Sequence, residues 1–244
     1  IINYIDKEYI KKIKELKTSI YFKIIINIHD FYWFDNKYTV NNVGVYKNYL
    51  LPKNEINTKN IDFLNQCSCI CPSKFVEEIY KKNGVYELIR EEHIDYKTLE
   101  SEPKKVILER TVNLAILHNY TEYKGKDIYE ILKKKYQDKV FNNYKINFLT
   151  LFEDINCYYE NEYFNLIDKH KIHGLLFLNQ YGETWCYTLS KALKTGIPIL
   201  YNNIGAFRER IINSDLCFEL FNNEKDIKKF TNKKFNIDIF NRFE

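Results

Sequence analysis

From Val112 to Tyr201 the sequence alternates short, largely apolar runs with segments whose apolar residues recur at helical spacing, and few folds accept that pattern. Val112 to Leu117, Lys145 to Leu151, Gly174 to Leu178 and Pro198 to Tyr201 are predicted strands, and Asp127 to Tyr136, Asn161 to His170 and Thr184 to Thr195 predicted helices. A strand without a polar face must be covered on both sides. The pattern therefore predicts an α/β fold, a parallel sheet with helices on both faces. Ligands of such sheets bind at the carboxyl ends of the strands.

The first third repeats the alternation less regularly. Tyr4 to Leu16 is a predicted helix, and Tyr21 to Ile28 a β-branched strand that delivers His29-Asp30-Phe31-Tyr32-Trp33 into a loop. Residues 36 to 60 read as an irregular excursion. A strand at Ser68 to Cys71 stops at Pro72; Ser73 then caps a helix over Lys74 to Lys82, which Asn83-Gly84 closes. A charged stretch from Arg90 to Lys105 looks like a linker, giving two domains, 1–102 and 103–244.

Composition narrows the function. The 37 basic and 33 acidic side chains of the 244 residues leave a net charge of +4, scattered along the chain rather than gathered into basic blocks. That excludes a nucleic-acid footprint. The longest apolar runs are far below the roughly 20 residues that span a bilayer, and no signal peptide is recognisable. Cys67, Cys69 and Cys71 lack a second ligand pair at zinc spacing and read as small buried thiols in a strand. A reducing, cytoplasmic setting follows. Met is absent and residue 1 is Ile, so the chain reads as a fragment or a processed product.

Candidate chemistry concentrates in His173 to Arg210. Glu183 stands before a predicted helix capped by Thr184, so the amides of Thr184, Trp185 and Cys186 are expected to face the carboxyl edge of the sheet, where the helix dipole favours an anion such as phosphate. Tyr123-Lys124-Gly125-Lys126-Asp127 precedes another predicted helix whose Asp127 and Glu130 have capping-box spacing. Lys124 is thus expected on the same edge, where an ammonium could neutralise a diphosphate without a metal. His93, His118, His170 and His173 lack metal-ligand spacing. Phe31-Tyr32-Trp33-Phe34 reads first as buried core, and Lys133-Lys134-Lys135 as a solvated helix end.

Gly-Glu-Thr-Trp-Cys-Tyr-Thr-Leu-Ser-Lys-Ala-Leu-Lys-Thr-Gly-Ile-Pro-Ile-Leu, followed by Asn-Ile-Gly-Ala-Phe-Arg-Glu-Arg, resembles the donor-binding half of retaining GT-B glycosyltransferases of the family 4 type. Tyr123-Lys124-Gly125-Lys126-Asp127 is similar to that family's Lys-Gly phosphate loop, Ile26-Asn27-Ile28-His29-Asp30 to its strand ending in His-Asp, and Ile70-Cys71-Pro72-Ser73 to its Val-x-Pro-Ser turn. The resemblance implies two Rossmann-type domains with a nucleoside-diphosphate sugar held between them, no metal and no further cofactor. It implies Glu183 at the donor sugar, Lys124 and Gly125 at the diphosphate, the amides of Thr184, Trp185 and Cys186 at the distal phosphate, and His29 as a second catalytic group. Asp30 and Tyr32 would lie on the side of a glycan or lipid-linked acceptor. Peripheral membrane contact fits this class, although no strongly amphipathic basic helix argues for it.

Two departures stand out. Lys191 occupies the place of the family's second glutamate, eight residues after Glu183, which on one continuous helix is about 12 Å along the axis and roughly 80° around it, beside the ribose. There an ammonium donates hydrogen bonds where a carboxylate accepts them. Residues 1 to 85 also resemble only the later part of the family's first half, so the N-terminal domain reads as incomplete, with an upstream domain expected. A catalytically impaired binding module and a nucleotide-sugar epimerase of the same fold are the rival readings.

Overall fold

The chain divides into two units, Ile1–Ile94 and Asp95–Glu244, each with its own buried core residues. The computed structural model describes residues 7–19, 22–35, 57–92, 110–117, 121–141, 143–151, 160–211 and 215–221.

The first unit runs α1 (Lys7–Ser19), β1 (Ile25–Asn27), α2 (Tyr32–Asp35), α3 (Thr58–Leu64), β2 (Ser68–Cys71), α4 (Lys74–Lys82) and β3 (Leu88–Arg90). Its three strands are parallel in the order β1-β2-β3, with Ile26 opposite Cys69 and Ile70 opposite Ile89. Helix α4 begins where the sequence places it, because the Ser73 hydroxyl accepts from the Val76 amide at 3.2 Å. It ends at Asn83, and Gly84 follows at φ +99°. Cys69 and Cys71 alternate along β2 and so share its inward face, where burial pushes both thiols up to about 12. Phe31, Trp33 and Phe34 are likewise core, with Phe34 packed on Tyr80 at 4.4 Å between ring centroids. Two expectations change here. The end of the supposed excursion is helical, since α3 starts at Thr58, capped by the Asn57 side chain on the Asn60 amide. The charged stretch opens on β3 rather than on a loop. Residues 36–56 and 93–109, the remainder of those two segments, lie outside the described residues.

The second unit runs β4 (Thr111–Ile116), α5 (Lys126–Tyr136), β5 (Val140–Phe141), β6 (Tyr144–Thr150), α6 (Glu160–Lys169), β7 (Gly174–Phe177), α7 (Tyr187–Lys194), β8 (Ile199–Asn202), α8 (Phe207–Arg210) and β9 (Cys217–Phe221). The strand order is β5-β6-β4-β7-β8-β9, parallel throughout except that β5 folds back antiparallel on β6. Alternation along each strand feeds two cores. Leu114, Ile116, Leu176 and Leu178 face Ile128, Tyr129 and Leu132 of α5. Ala115, Leu175, Phe177 and Tyr201 face Ile167 of α6, Leu189 of α7 and Phe207 of α8. Each buried Leu, Ile or Phe of these faces contributes roughly 1.5–3 kcal/mol. The sheet is therefore covered on both faces, most fully at β7 and β8, where every residue is buried.

The order also fixes where a ligand could sit. From β4 the chain crosses through α5 to β6 on one side, then returns through α6 to β7 on the other. Loops leaving β4 and β7 diverge from neighbouring strands, which opens a crevice at their carboxyl ends. The segment after β4 carries Lys124, and the segment after β7 carries Glu183.

Candidate functional site

Two glycines let these loops close on each other. After β4, residues Glu122–Lys124 make one 3-10 turn, and Gly125 follows at φ +88°. A Cβ on Gly125 would lie 2.0 Å from the Leu178 carbonyl oxygen, so only glycine lets this turn rest on the end of β7. Gly205, at φ +62° in the turn after β8, lies so close to Gly182 and Glu183 that a Cβ there would be 2.4 Å from the Gly182 Cα. The Ala206 amide then donates to the Glu183 carbonyl at 2.9 Å. Glu183 is thus held by its own backbone between the turns that follow β4 and β8.

Its carboxylate faces Lys124. The Lys124 ammonium donates to Glu183 Oε1, and the Asn179 side-chain amide donates to the same oxygen. The two charged side chains retain 22% and 12% of their exposure, so the pair is largely withdrawn from water yet still open to a ligand. Burial alone works to lower the Lys124 pKa. The Glu183 carboxylate, with Cys186 and Tyr181 behind it, outweighs burial, and the net shift is upward. Burial, reinforced by Glu183, raises the Cys186 thiol to about 11 and the Tyr181 phenol to about 12, which leaves both neutral. Gln180 ties the two loops together, donating to the Glu122 carbonyl at 3.0 Å and to the Asp127 carboxylate.

The entrance of α7 differs from its expected form. The helix starts at Tyr187, and its N-cap is Cys186 at φ +70°, with no side-chain cap. Thr184 is not the N-cap, and the amides of Thr184 and Trp185 precede the helix instead of opening it. Arg210 braces this entrance. Its guanidinium donates to the Trp185 carbonyl, to the Cys186 carbonyl at 2.8 Å and to the Ser190 hydroxyl at 2.6 Å, and lies 4.0 Å over the Trp185 ring. The Cys186 carbonyl also accepts from the Leu189 amide at 3.1 Å, so Arg210 shares a carbonyl with the first turn of the helix. The geometry assumed for Lys191 falls with this, because Glu183 and Lys191 do not share one helix; Lys191 is the fifth residue of α7. The capping box expected at Asp127 is also absent. Helix α5 starts one residue earlier, after Gly125, and the Asp127 carboxylate accepts from Gln180.

The structure thus brings Lys124, Gly125, Glu183 and Cys186 together, with Thr184 and Trp185 in the adjoining loop. His29 and Asp30 follow β1 in the first unit, where the Asp30 carbonyl accepts from the Tyr80 hydroxyl at 2.6 Å. Tyr32 opens α2, and its side chain lies outside the described residues. Burial holds the His29 pKa below its ordinary 6.5, against a smaller opposing pull from Asp30. Protons bind more readily to the unfolded chain, so this group's contribution to stability is full above pH 6.5 and is lost as pH falls below it. Urea midpoints of His29→Gln are expected to vary less with pH below 6.5 than those of wild type. Equal slopes would refute that.

Sequence reasoning passed over Asn179, Gln180 and Arg210. A signal existed for the first two: polar residues immediately after an apolar strand, at the edge where parallel sheets bind ligands. Nothing in the local sequence marks Arg210.

No family model matches the sequence, and no curated protein matches it significantly. Among solved structures the chain is similar to sucrose-phosphate synthase from Thermosynechococcus elongatus, with TM-score 0.50 and 9% identity over 92% of this chain and 62% of that one. It is also similar to HepE of Anabaena in complex with UDP, with TM-score 0.50 and 12% identity over 93% of this chain and 66% of that one. The chain thus spans slightly less than two thirds of the length of each. At these identities the likeness is one of fold: α/β and GT-B-like, with parallel sheets, as the sequence predicts.

Proposed function

We propose that the chain handles the donor in a glycosyltransferase that moves a sugar from a nucleoside-diphosphate sugar to a glycan or lipid-linked acceptor, with retention and without a metal. The observation that carries this reading is the Lys124–Glu183 pair at the point where the strand order reverses. An ammonium there meets a diphosphate, while an adjacent carboxylate accepts hydrogen bonds from sugar hydroxyls. One protein of similar fold was solved with UDP, which supports a nucleotide as ligand.

The proposed reaction breaks the bond between the anomeric carbon and the phosphate oxygen and forms a bond from that carbon to the acceptor oxygen. The acceptor proton passes to the departing diphosphate. Negative charge accumulates on phosphate as the sugar becomes oxocarbenium-like, so a fixed ammonium stabilises the transition state more than the ground state. Gly125 lets the loop backbone approach the diphosphate, and the segment Thr184, Trp185 and Cys186 offers main-chain groups beside it. Glu183 orients the sugar. His29 is assigned as a second catalytic group, and Asp30 and Tyr32 to the acceptor side.

Lys191 favours a second reading, a binding module without turnover, because an ammonium replaces the carboxylate at the position aligned with the family's second glutamate. Thermal-shift titration with UDP, GDP, ADP and dTDP tests both. A fitting nucleotide at 100 times its dissociation constant is expected to add about 2.7 kcal/mol. Hydrolysis of the corresponding nucleotide sugar, lost in Glu183→Ala, marks an enzyme; binding without hydrolysis marks the module. If no nucleotide shifts the melting temperature, both readings fail.

A further inference from the structure

Among the described residues the side-chain amide of Asn179 makes one hydrogen bond, and it goes to Glu183. Asn179 directly follows the apolar end of β7 and is 1% exposed. Its main-chain carbonyl accepts from the side chain of Asn202 at 2.9 Å, and Asn202, the last residue of β8, is itself fully buried. Its Nδ2 donates to Glu183 Oε1, while its Oδ1 is buried and accepts nothing among the described residues. A buried amide that leaves its acceptor unpaired is a poor stabiliser, because an apolar side chain of similar size carries no such desolvation penalty. What Asn179 provides is a fixed N–H aimed at one oxygen of one carboxylate.

That oxygen also accepts from Lys124, so both donors converge on Oε1. Among the described residues Oε2 accepts no hydrogen bond. A carboxylate with one oxygen doubly held cannot rotate without breaking both bonds, and its other oxygen keeps a constant direction. We propose that Asn179 is a positioning residue: anchored to β8 through Asn202, it locks the Glu183 carboxylate so that Oε2 is presented to a hydroxyl of the donor sugar. The substrate in this proposal rests on the glycosyltransferase reading; the locking of the carboxylate does not.

The test compares Asn179→Ala and Asn179→Asp with wild type in nucleotide-sugar turnover and in melting temperature. Asn179→Ala is expected to melt within about 2 °C of wild type or above it, while kcat falls about ten- to hundred-fold and KM changes little. A structural residue would show the opposite, a lower melting temperature with kcat preserved, and that result would overturn the proposal. Asn179→Asp supplies a sign that bulk and packing cannot imitate. At neutral pH its carboxylate repels that of Glu183, but as pH falls the two share one proton, and the new O–H donates where the amide N–H did. The ratio of variant to wild-type kcat is expected to rise as pH falls from about 8 to about 5; a flat or falling ratio counts against positioning.

Wild-type chain that turns over no nucleotide sugar would defeat the glycosyltransferase reading and leave the geometry to be decided by NMR. The Asn179 side-chain amide signal, assigned by its disappearance in Asn179→Ala, is expected to lie downfield and to exchange slowly. In Glu183→Ala it should move upfield and exchange faster. A signal indifferent to Glu183→Ala would show that the amide does not hold the carboxylate, whatever the substrate.

Discussion

Gly125→Ala is expected to destabilise the second unit by about 2–5 kcal/mol, a large part of the stability of a domain this size. Two costs add. The backbone sits at φ +88°, where a non-glycine residue costs about 1–2 kcal/mol. The new methyl group would lie 2.0 Å from the Leu178 carbonyl oxygen and 2.6 Å from its carbonyl carbon, and main chain at the end of a central strand cannot give way as a flexible side chain does. Overpacking of that kind costs about 1–3 kcal/mol. Gly84→Ala is the control, because its φ of +99° is equally left-handed while its Cβ would meet only Ile61 Cγ2 at 3.5 Å. The control should lose only the backbone component, about 1–2 kcal/mol. The two tryptophans make the measurement separable, since Trp33 is buried in the first unit and Trp185 in the second, and urea unfolding of single-tryptophan variants reports each. Equal losses for the two alanine variants would mean that the turn after β4 does not rest on β7, and the approach of Lys124 to Glu183 would lose its structural cause.

The same contact shows what the sequence could disclose and what it could not. The strands β4, β6, β7 and β8 were legible to within a residue or two because apolar residues dominate them, and β7 and β8 are buried at every position, as central strands covered on both faces are. β3, β5 and β9 escaped notice for the converse reason. They are short, lie at or beside sheet edges, and carry residues such as Ile89 and Val140 that stay more than half exposed, so no alternation or apolar run sets them apart. Thr184 is the right residue type for a helix cap, and it misleads because the turn is set by two things with no local signature: a cysteine at φ +70° and an arginine 24 residues downstream. Had Cys186 been glycine, the left-handed turn would have been readable. The meeting of Lys124 with Glu183 was legible as a shared edge. Which oxygen the ammonium reaches, and that Asn179 reaches it too, depends on a strand order that composition and spacing do not encode.

Lys124→Met is expected to cost about 3 kcal/mol, because it leaves a carboxylate that is only 12% exposed without its counter-charge. Lys124→Met combined with Glu183→Gln should recover at least half of that loss. The neutral amide carries no desolvated charge, and its oxygen still accepts from Asn179. Such recovery is the signature of a buried pair whose worth lies in mutual compensation rather than in net attraction, and two losses that simply add would refute the pairing. The pH dependence has a definite sign. The folded Lys124 pKa lies above its ordinary 10.5, so the stability that this lysine contributes is full below pH 10.5 and fades only as pH rises beyond it. With respect to the lysine, the difference between wild type and Lys124→Met should therefore be level from about pH 6 to pH 9. Activity must part company with stability in this series. The double variant regains its fold but not its charge, so nucleotide-sugar hydrolysis should stay about a hundred- to a thousand-fold below wild type, the range seen when one transition-state donor is removed. A double variant as active as wild type would make the pair a structural bridge, and the catalytic reading of this crevice would fall with it.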